Sequence, residues 1–305
     1  MEKLNSIVEA VAYYAQNQPE KFCIADGKRQ LNYEEYFRNI TGYAKHLKQL
    51  GVGQGDCVVV RNSQNIDFVV TGLAIQLLGG IFVPLEKNIA SNRIMEIYEM
   101  VDAKGYIAAK EDEVPGFFED IKKVSEYQDE VADFESFTYP QAIDTAEILF
   151  TTGTTGVSKG IELTHGNNVA VAENVIDGVE MKKDNVEMIP VPLSHSHGLR
   201  RYYANMLNGS SVVLLDGVVF TAKVFSGIEK YGVTSMDLVP AALATIFQLS
   251  GDKIGDYKKQ RLQPEVHVLS GKMVKEQTIP SLHRIWQKLL PMQESSWNYF
   301  FSMLV

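Results

Sequence analysis

Phe150-Thr151-Thr152-Gly153-Thr154-Thr155-Gly156-Val157-Ser158-Lys159-Gly160 is the stretch around which the rest of the chain is organised. The apolar triplet Ile148-Leu149-Phe150 reads as a strand, and it runs into a loop of glycine and threonine that a lysine closes. Such a loop can turn several backbone N–H groups inward, add hydroxyl donors and bring one formal positive charge, a combination that suits a polyphosphate. Composition alone leaves open the alternative of a flexible turn between two strands. It is not a Walker A loop, because that motif places Gly-Lys directly before Ser or Thr and here Ser158 precedes Lys159.

Strands and helices alternate on both sides of this loop. Upstream, Leu4, Ile7, Val8 and Val11 share a helical face. Asn32 and Glu35 form a capping-box pattern ahead of the stripe Tyr36, Ile40, Ala44 and Leu47, and Gly51 sits where that helix stops. The continuous apolar run Cys57-Val58-Val59-Val60 suits a parallel strand covered on both faces. A helix over 65–78, the strand Ile81-Phe82-Val83, a helix over 92–101 and the strand Tyr106-Ile107-Ala108 follow. Residues 111–145 are acid-rich and without periodicity, which predicts a linker between two subdomains. Downstream, strands are expected at 148–150, 160–163, 188–191, 212–215, 236–239 and 266–269, separated by helical stretches. This pattern predicts an α/β fold with a largely parallel sheet.

Composition narrows the function. The 305 residues carry 29 basic and 38 acidic side chains, a formal net charge of −9, which argues against nucleic acid and anionic membrane as partners and towards a small molecule. Residues 68–85 contain no charge, but Gln76, Gly79-Gly80 and Pro84 interrupt them, so a buried helix, a turn and a strand are expected rather than a membrane span. Two isolated cysteines, Cys23 and Cys57, fit buried apolar positions in a reducing compartment, and the N-terminus lacks the pattern of a secretion signal. A cytoplasmic protein is expected.

The run from Thr151 to Gly160, continued by Ile161-Glu162-Leu163-Thr164-His165-Gly166-Asn167, resembles the signature loop of the adenylate-forming ligases, the superfamily of acyl-CoA synthetases, luciferases and peptide-synthetase adenylation domains. Ser158 stands where that family usually has proline. Leu31-Asn32-Tyr33-Glu34-Glu35, Leu50-Gly51-Val52-Gly53-Gln54-Gly55-Asp56, Gly79-Gly80-Ile81-Phe82-Val83-Pro84-Leu85 and Pro192-Leu193-Ser194-His195-Ser196-His197-Gly198 are similar to further family segments in order and spacing. The resemblance covers about 1–290 and implies two stacked α/β subdomains with largely parallel sheets, about 1–145 and 146–290, forming the large N-terminal region of such a ligase.

What the resemblance implies for the site can be stated residue by residue. Thr151, Thr152, Gly153, Thr154, Thr155, Gly156 and Lys159 match the loop that holds the β- and γ-phosphates of ATP, with Mg²⁺ bridging the phosphates. His195 matches the histidine that borders the carboxylate and acyl pocket. As a His-x-His pair, His195 and His197 could also be metal ligands, but no third ligand with suitable spacing follows, and His197 is expected to be structural. Gly271 and Lys272 fall where the family backbone passes the adenine; Lys272 could equally be a solvated surface lysine. Arg200 and Arg201 are expected to face water or an acid in at least one case, with a pantetheine or phosphate contact as the alternative. The implied chemistry is activation of a carboxylic acid by ATP and transfer of the acyl group to coenzyme A or to the phosphopantetheine of an acyl carrier protein.

The family's Tyr-Gly-x-Thr-Glu motif, its ribose-binding aspartate and its lid lysine have no counterpart here. Residues 291–305, with Trp297, Tyr299, Phe300 and Phe301, form an atypical tail. The sequence therefore predicts a chain that lacks the C-terminal portion and lid and has little or no turnover, or alternatively a non-catalytic nucleotide- and acyl-binding module descended from a ligase.

Overall fold

The computed structural model describes residues 4–150 and 159–251. In chain order the elements are α1 (Ile7–Asn17), β1 (Phe22–Ala25), β2 (Gln30–Asn32), α2 (Tyr33–Gln49), β3 (Cys57–Arg61), α3 (Ile66–Leu77), β4 (Ile81–Leu85), α4 (Ser91–Met100), β5 (Gly105–Ala108) and β6 (Phe117–Asp120). A 3-10 helix (Ile121–Tyr127) is followed by β7 (Thr145–Phe150), β8 (Gly160–Thr164), α5 (His165–Gly178), β9 (Val186–Ile189), α6 (Ser196–Asn208), β10 (Ser211–Leu214), α7 (Thr221–Tyr231), β11 (Ser235–Met236) and α8 (Pro240–Ser250).

The local signals read from the sequence explain several boundaries. Asn32 Oδ1 accepts the Glu35 amide at 2.8 Å while Glu35 Oε2 accepts the Asn32 amide at 2.9 Å, the reciprocal pairing that starts α2. Asn32→Ala is expected to lower stability by about 1 kcal/mol, read as a shift of the urea midpoint at unchanged slope. A cost below a few tenths of a kcal/mol would mean that packing of the Tyr36, Ile40 and Leu47 face positions the helix without its cap. Every residue of α3 is buried, so its continuous apolar character serves a helix enclosed by protein. No helix among the described residues is long and apolar enough to cross a membrane. Cys23 and Cys57 are buried free thiols, as expected.

Two sheets result. The six-stranded sheet has the order β6-β5-β3-β4-β7-β8 and is parallel except for the β7–β8 pair; the five-stranded sheet has the order β11-β9-β10-β1-β2 and is parallel except for β1–β2. The sheets do not divide at residue 145: β1 and β2 lie in the same sheet as β9, β10 and β11, while β7 and β8 complete the sheet of β3 to β6. Nor is 111–145 a simple linker. β6 pairs in parallel with β5, Ile121 and Val124 of the 3-10 helix are buried, and Phe37 and Phe134 stack with ring centroids 5.0 Å apart. At Gly42 of α2 the approach of this segment is so close that a Cβ would lie 1.8 Å from the carbonyl oxygen of Tyr127, so no larger residue fits there without displacing it.

Helix α6 joins the two sheets. Adjacent residues on it point to opposite partners: Arg200 pairs with Glu147 of β7, and Arg201 pairs with Glu187 of β9 at 2.6 Å. Both glutamates are fully buried, and their charges are matched only because α6 supplies one guanidinium to each sheet. Tyr202 and Tyr203 fill the remaining faces; the Tyr202 hydroxyl meets that of Tyr36 at 2.5 Å, and the Tyr203 hydroxyl donates to Glu147 at 2.8 Å.

Candidate functional site at the carboxyl ends of the strands

In a parallel α/β sheet the connections that leave the carboxyl ends of the strands are where ligands bind, because the backbone there is free of ladder bonds. Here the carboxyl ends of the two sheets meet. Asp26, just beyond β1, accepts the Ile66 amide at the start of α3 through Oδ2 at 3.2 Å. Lys87, beyond β4, meets Asp216, beyond β10, at 2.5 Å. The loop after β3 bonds to the loop after β9 through Gln64, whose Nε2 donates to the Val191 carbonyl at 2.8 Å.

The β7–β8 hairpin belongs to the same edge. β7 runs parallel to β4, and its last residue, Phe150, pairs with Gly160 of antiparallel β8. The connection between them therefore departs from the edge that carries Glu86 and Lys87. Thr151, Thr152, Gly153, Thr154, Thr155 and Gly156 lie outside the described residues, as do Gly271 and Lys272. Lys159 is described: it is exposed immediately before β8 and has no ion pair among the described residues.

His195 is the residue before α6 and is half-exposed. Its Nε2 lies 3.6 Å from Glu86 Oε1, across the junction between the sheets. Glu86 escaped the sequence reading, although a charge placed directly after Val83-Pro84-Leu85 marks the point where a buried strand emerges. Its loop is held by Arg61 at the end of β3, which donates to the Lys87 carbonyl at 2.9 Å and the Ile89 carbonyl at 3.3 Å and pairs with Asp112 at 3.3 Å. Burial alone would push the Asp112 carboxyl up, but bonds from Ser91 and Tyr106 and the charge of Arg61 outweigh it and hold it below the ordinary carboxylate range.

His197 points elsewhere. Its Nε2 lies 2.8 Å from Asp237 Oδ2, and Asp237 is buried and also 3.5 Å from Arg201. The two histidines thus have separate carboxylate partners, and no group of three or more metal-ligating side chains occurs among the described residues. Arg200 and Arg201 both face acids inside the fold, which removes them as contacts for pantetheine or phosphate. Gly198, in the first turn of α6, is required by a close approach: a Cβ there would lie 2.4 Å from the Pro192 carbonyl oxygen, so the turn that carries His195 packs backbone to backbone.

Comparison with known proteins adds to this geometry. A model of the family described as "AMP-binding enzyme" matches residues 11–296. The chain is 26% identical over 268 residues to the protein named "Probable CoA ligase CCL5" of Humulus lupulus, a match covering 80% of this chain and 48% of that one. It is 28% identical over 184 residues to the D-alanine–D-alanyl carrier protein ligase of Streptococcus equi subsp. equi, covering 58% of this chain and 35% of that one. The O-succinylbenzoate coenzyme A synthetase of Bacillus subtilis, solved in complex with AMP, superposes with a TM-score of 0.71 at 22% identity over 79% of this chain and 64% of that one, a likeness of fold. The chain spans no more than about half the length of either curated relative.

Proposed function

The chain belongs to the family of AMP-binding enzymes, and from that premise we propose that it carries the nucleotide and acyl sites of an AMP-forming carboxylic acid ligase. ATP and a carboxylate would give an acyl-adenylate and pyrophosphate, and a thiol, of coenzyme A or of phosphopantetheine on an acyl carrier protein, would take the acyl group.

One observation carries this reading: the flanks of the 151–158 loop, with Lys159, share one sheet edge with Glu86, which His195 faces from the other sheet. On this reading a phosphate-binding segment and a polar boundary for a second substrate would lie on either side of the same junction. Adenylation needs that arrangement, because the carboxylate must reach the α-phosphorus while negative charge grows on the departing pyrophosphate. Thr151, Thr152, Gly153, Thr154, Thr155, Gly156 and Lys159 would hold the β- and γ-phosphates, Gly271 and Lys272 would pass beside the adenine, and His195 would border the carboxylate. Mg²⁺ bound with the nucleotide would neutralise phosphate charge. The exposed ammonium of Lys159 fits that assignment, since its placement leaves it without a competing carboxylate among the described ion pairs.

Thermal unfolding of the full chain with and without Mg-ATP tests the proposal. At a hundredfold excess of ligand over Kd the native state gains about 2.7 kcal/mol, a rise of several degrees in Tm. The rise is expected in the wild type and strongly reduced in Lys159→Ala. No rise in the wild type, or an equal rise in both proteins, would overturn the assignment of the loop.

A further inference from the structure

Gln64 lies in the turn between β3 and α3 with φ of +51°, in the left-handed region that residues with a Cβ seldom adopt. The turn is closed by Asn62, whose Oδ1 accepts the Gln64 amide at 2.8 Å. The Gln64 side chain is buried, and its carboxamide uses all four of its bonding positions. Nε2 donates to the carbonyls of Val191 at 2.8 Å and Leu215 at 3.3 Å. Oε1 accepts the Leu193 amide at 2.9 Å and Asn62 Nδ2 at 3.2 Å.

These partners belong to different parts of the molecule. Gln64 follows a strand of the six-stranded sheet, whereas Val191 and Leu193 follow β9 and Leu215 follows β10, both in the five-stranded sheet. Pro190 and Pro192 have no backbone N–H, so the segment that leads to His195 cannot be tied down by a continuous ladder. A side chain that both donates and accepts must do it, and Gln64 grips this segment two residues before His195. Asn62 adds a longer contact from Nδ2 to Ser194 Oγ at 3.5 Å. The other half of the His195–Glu86 pair is fixed from the same strand end: the Asn62 amide donates to the Leu85 carbonyl at 2.9 Å, and Arg61 holds the carbonyls of Lys87 and Ile89.

We infer that Gln64 is the positioning residue of this site, an amide clasp that sets His195 of one sheet against Glu86 of the other. The functional meaning rests on the acyl-site role proposed for His195, but the clasp is testable without turnover. Hydrogen exchange followed by mass spectrometry on the full chain compares wild type with Gln64→Ala. Exchange in segment 189–199 is expected to rise about tenfold while α1 and α2 keep their protection, because a local opening exposes only the segment it releases. Site-resolved carbethoxylation of His195 supplies a second readout: Glu86→Gln is expected to change the rate at least about twofold in the wild-type background and to have no effect beside Gln64→Ala.

Unchanged exchange in 189–199, acceleration spread equally over α1 and α2, or an identical Glu86→Gln effect in both backgrounds would overturn the inference. Should Gln64→Ala not fold, Gln64→Glu serves in its place. It keeps the bulk and the acceptor for Leu193 but turns a carboxylate oxygen towards the Val191 and Leu215 carbonyls, and the same local release is expected. Failure of Mg-ATP to bind would remove the functional reading of His195 and leave these exchange results standing.

Discussion

Replacing Arg200 with alanine is expected to cost about 3–5 kcal/mol of folding stability, because it strands a buried charge. Glu147 is fully buried in β7, where one carboxylate oxygen meets the Arg200 guanidinium and the other accepts the Tyr203 hydroxyl at 2.8 Å. Arg200 also donates to Asn168 Oδ1 of α5 at 2.7 Å, so the change releases a second buried acceptor. Without the cation, the buried Glu147 carboxylate keeps the Tyr203 hydroxyl as its one donor among the described residues and loses the charge that offset its desolvation. The pair itself need not be a net source of stability: in the double variant Arg200→Met with Glu147→Leu, most of the loss should return, since an apolar pair of similar bulk requires no desolvation of charge. Urea unfolding of the two single variants and the double variant measures both quantities. A loss below about 1 kcal/mol in Arg200→Ala would show that water reaches Glu147 and that α6 is not the buried connector described above.

That connector shows what the sequence disclosed and what it withheld. The strands at Cys57-Val58-Val59-Val60 and Ile148-Leu149-Phe150 were legible because a parallel strand is covered on both faces, and continuous apolar character is the direct result. The start of α2 was legible because a capping box is a contact between residues three apart. Residues 111–145 were misread for the opposite reason. Phe117, Ile121, Val124 and Phe134 anchor that segment at irregular intervals between exposed acids, and no single period reveals them. The buried roles of Arg200 and Arg201 depend on partners that the fold brings from β7 and β9. A signal for them existed: Glu147 within Ala146-Glu147-Ile148-Leu149 and Glu187 within Val186-Glu187-Met188-Ile189 are acids inside apolar strands, and each needs a buried cation.

The candidate site divides along the same line. Lys159 and His195 stand in local motifs and could be named from the sequence, whereas Glu86, Asn62 and Gln64 act through contacts that link the ends of strands in two different sheets. Gln64 in particular gives no sign of its role, since a polar residue after a strand ordinarily marks only a solvated turn. Its burial and three of its four bonds come from Val191, Leu193 and Leu215, which follow β9 and β10 more than a hundred residues later in the chain, beyond the reach of any local pattern.

Acid is expected to destabilise the protein through His165, by about 3 kcal/mol between neutral pH and pH 4. The residue opens α5 inside the segment Leu163-Thr164-His165-Gly166-Asn167; its imidazole is buried, and its Nε2 has no hydrogen-bond partner among the described residues. Burial pushes its pKa down to about 4, against the opposing charge of Asp144. The positive pole of α5 at the same position acts in the same direction, since it disfavours a cation at the head of a helix. The sign follows from proton uptake. Above the ordinary histidine value of about 6.5 neither state binds the proton, so this residue leaves stability independent of pH. Between about 6.5 and about 4 the unfolded chain binds it and the folded chain does not, so stability falls as pH falls. Carboxylates titrate over the same range and add their own slope, which is why the measurement is a difference. The unfolding free energy of the wild type minus that of His165→Gln should fall by about 3 kcal/mol from pH 7 to pH 4, because the glutamine protein lacks the proton that the unfolded wild type acquires. Curves that stay parallel within about 0.5 kcal/mol would mean that the folded protein accommodates the imidazolium, and that the head of α5 is open to water.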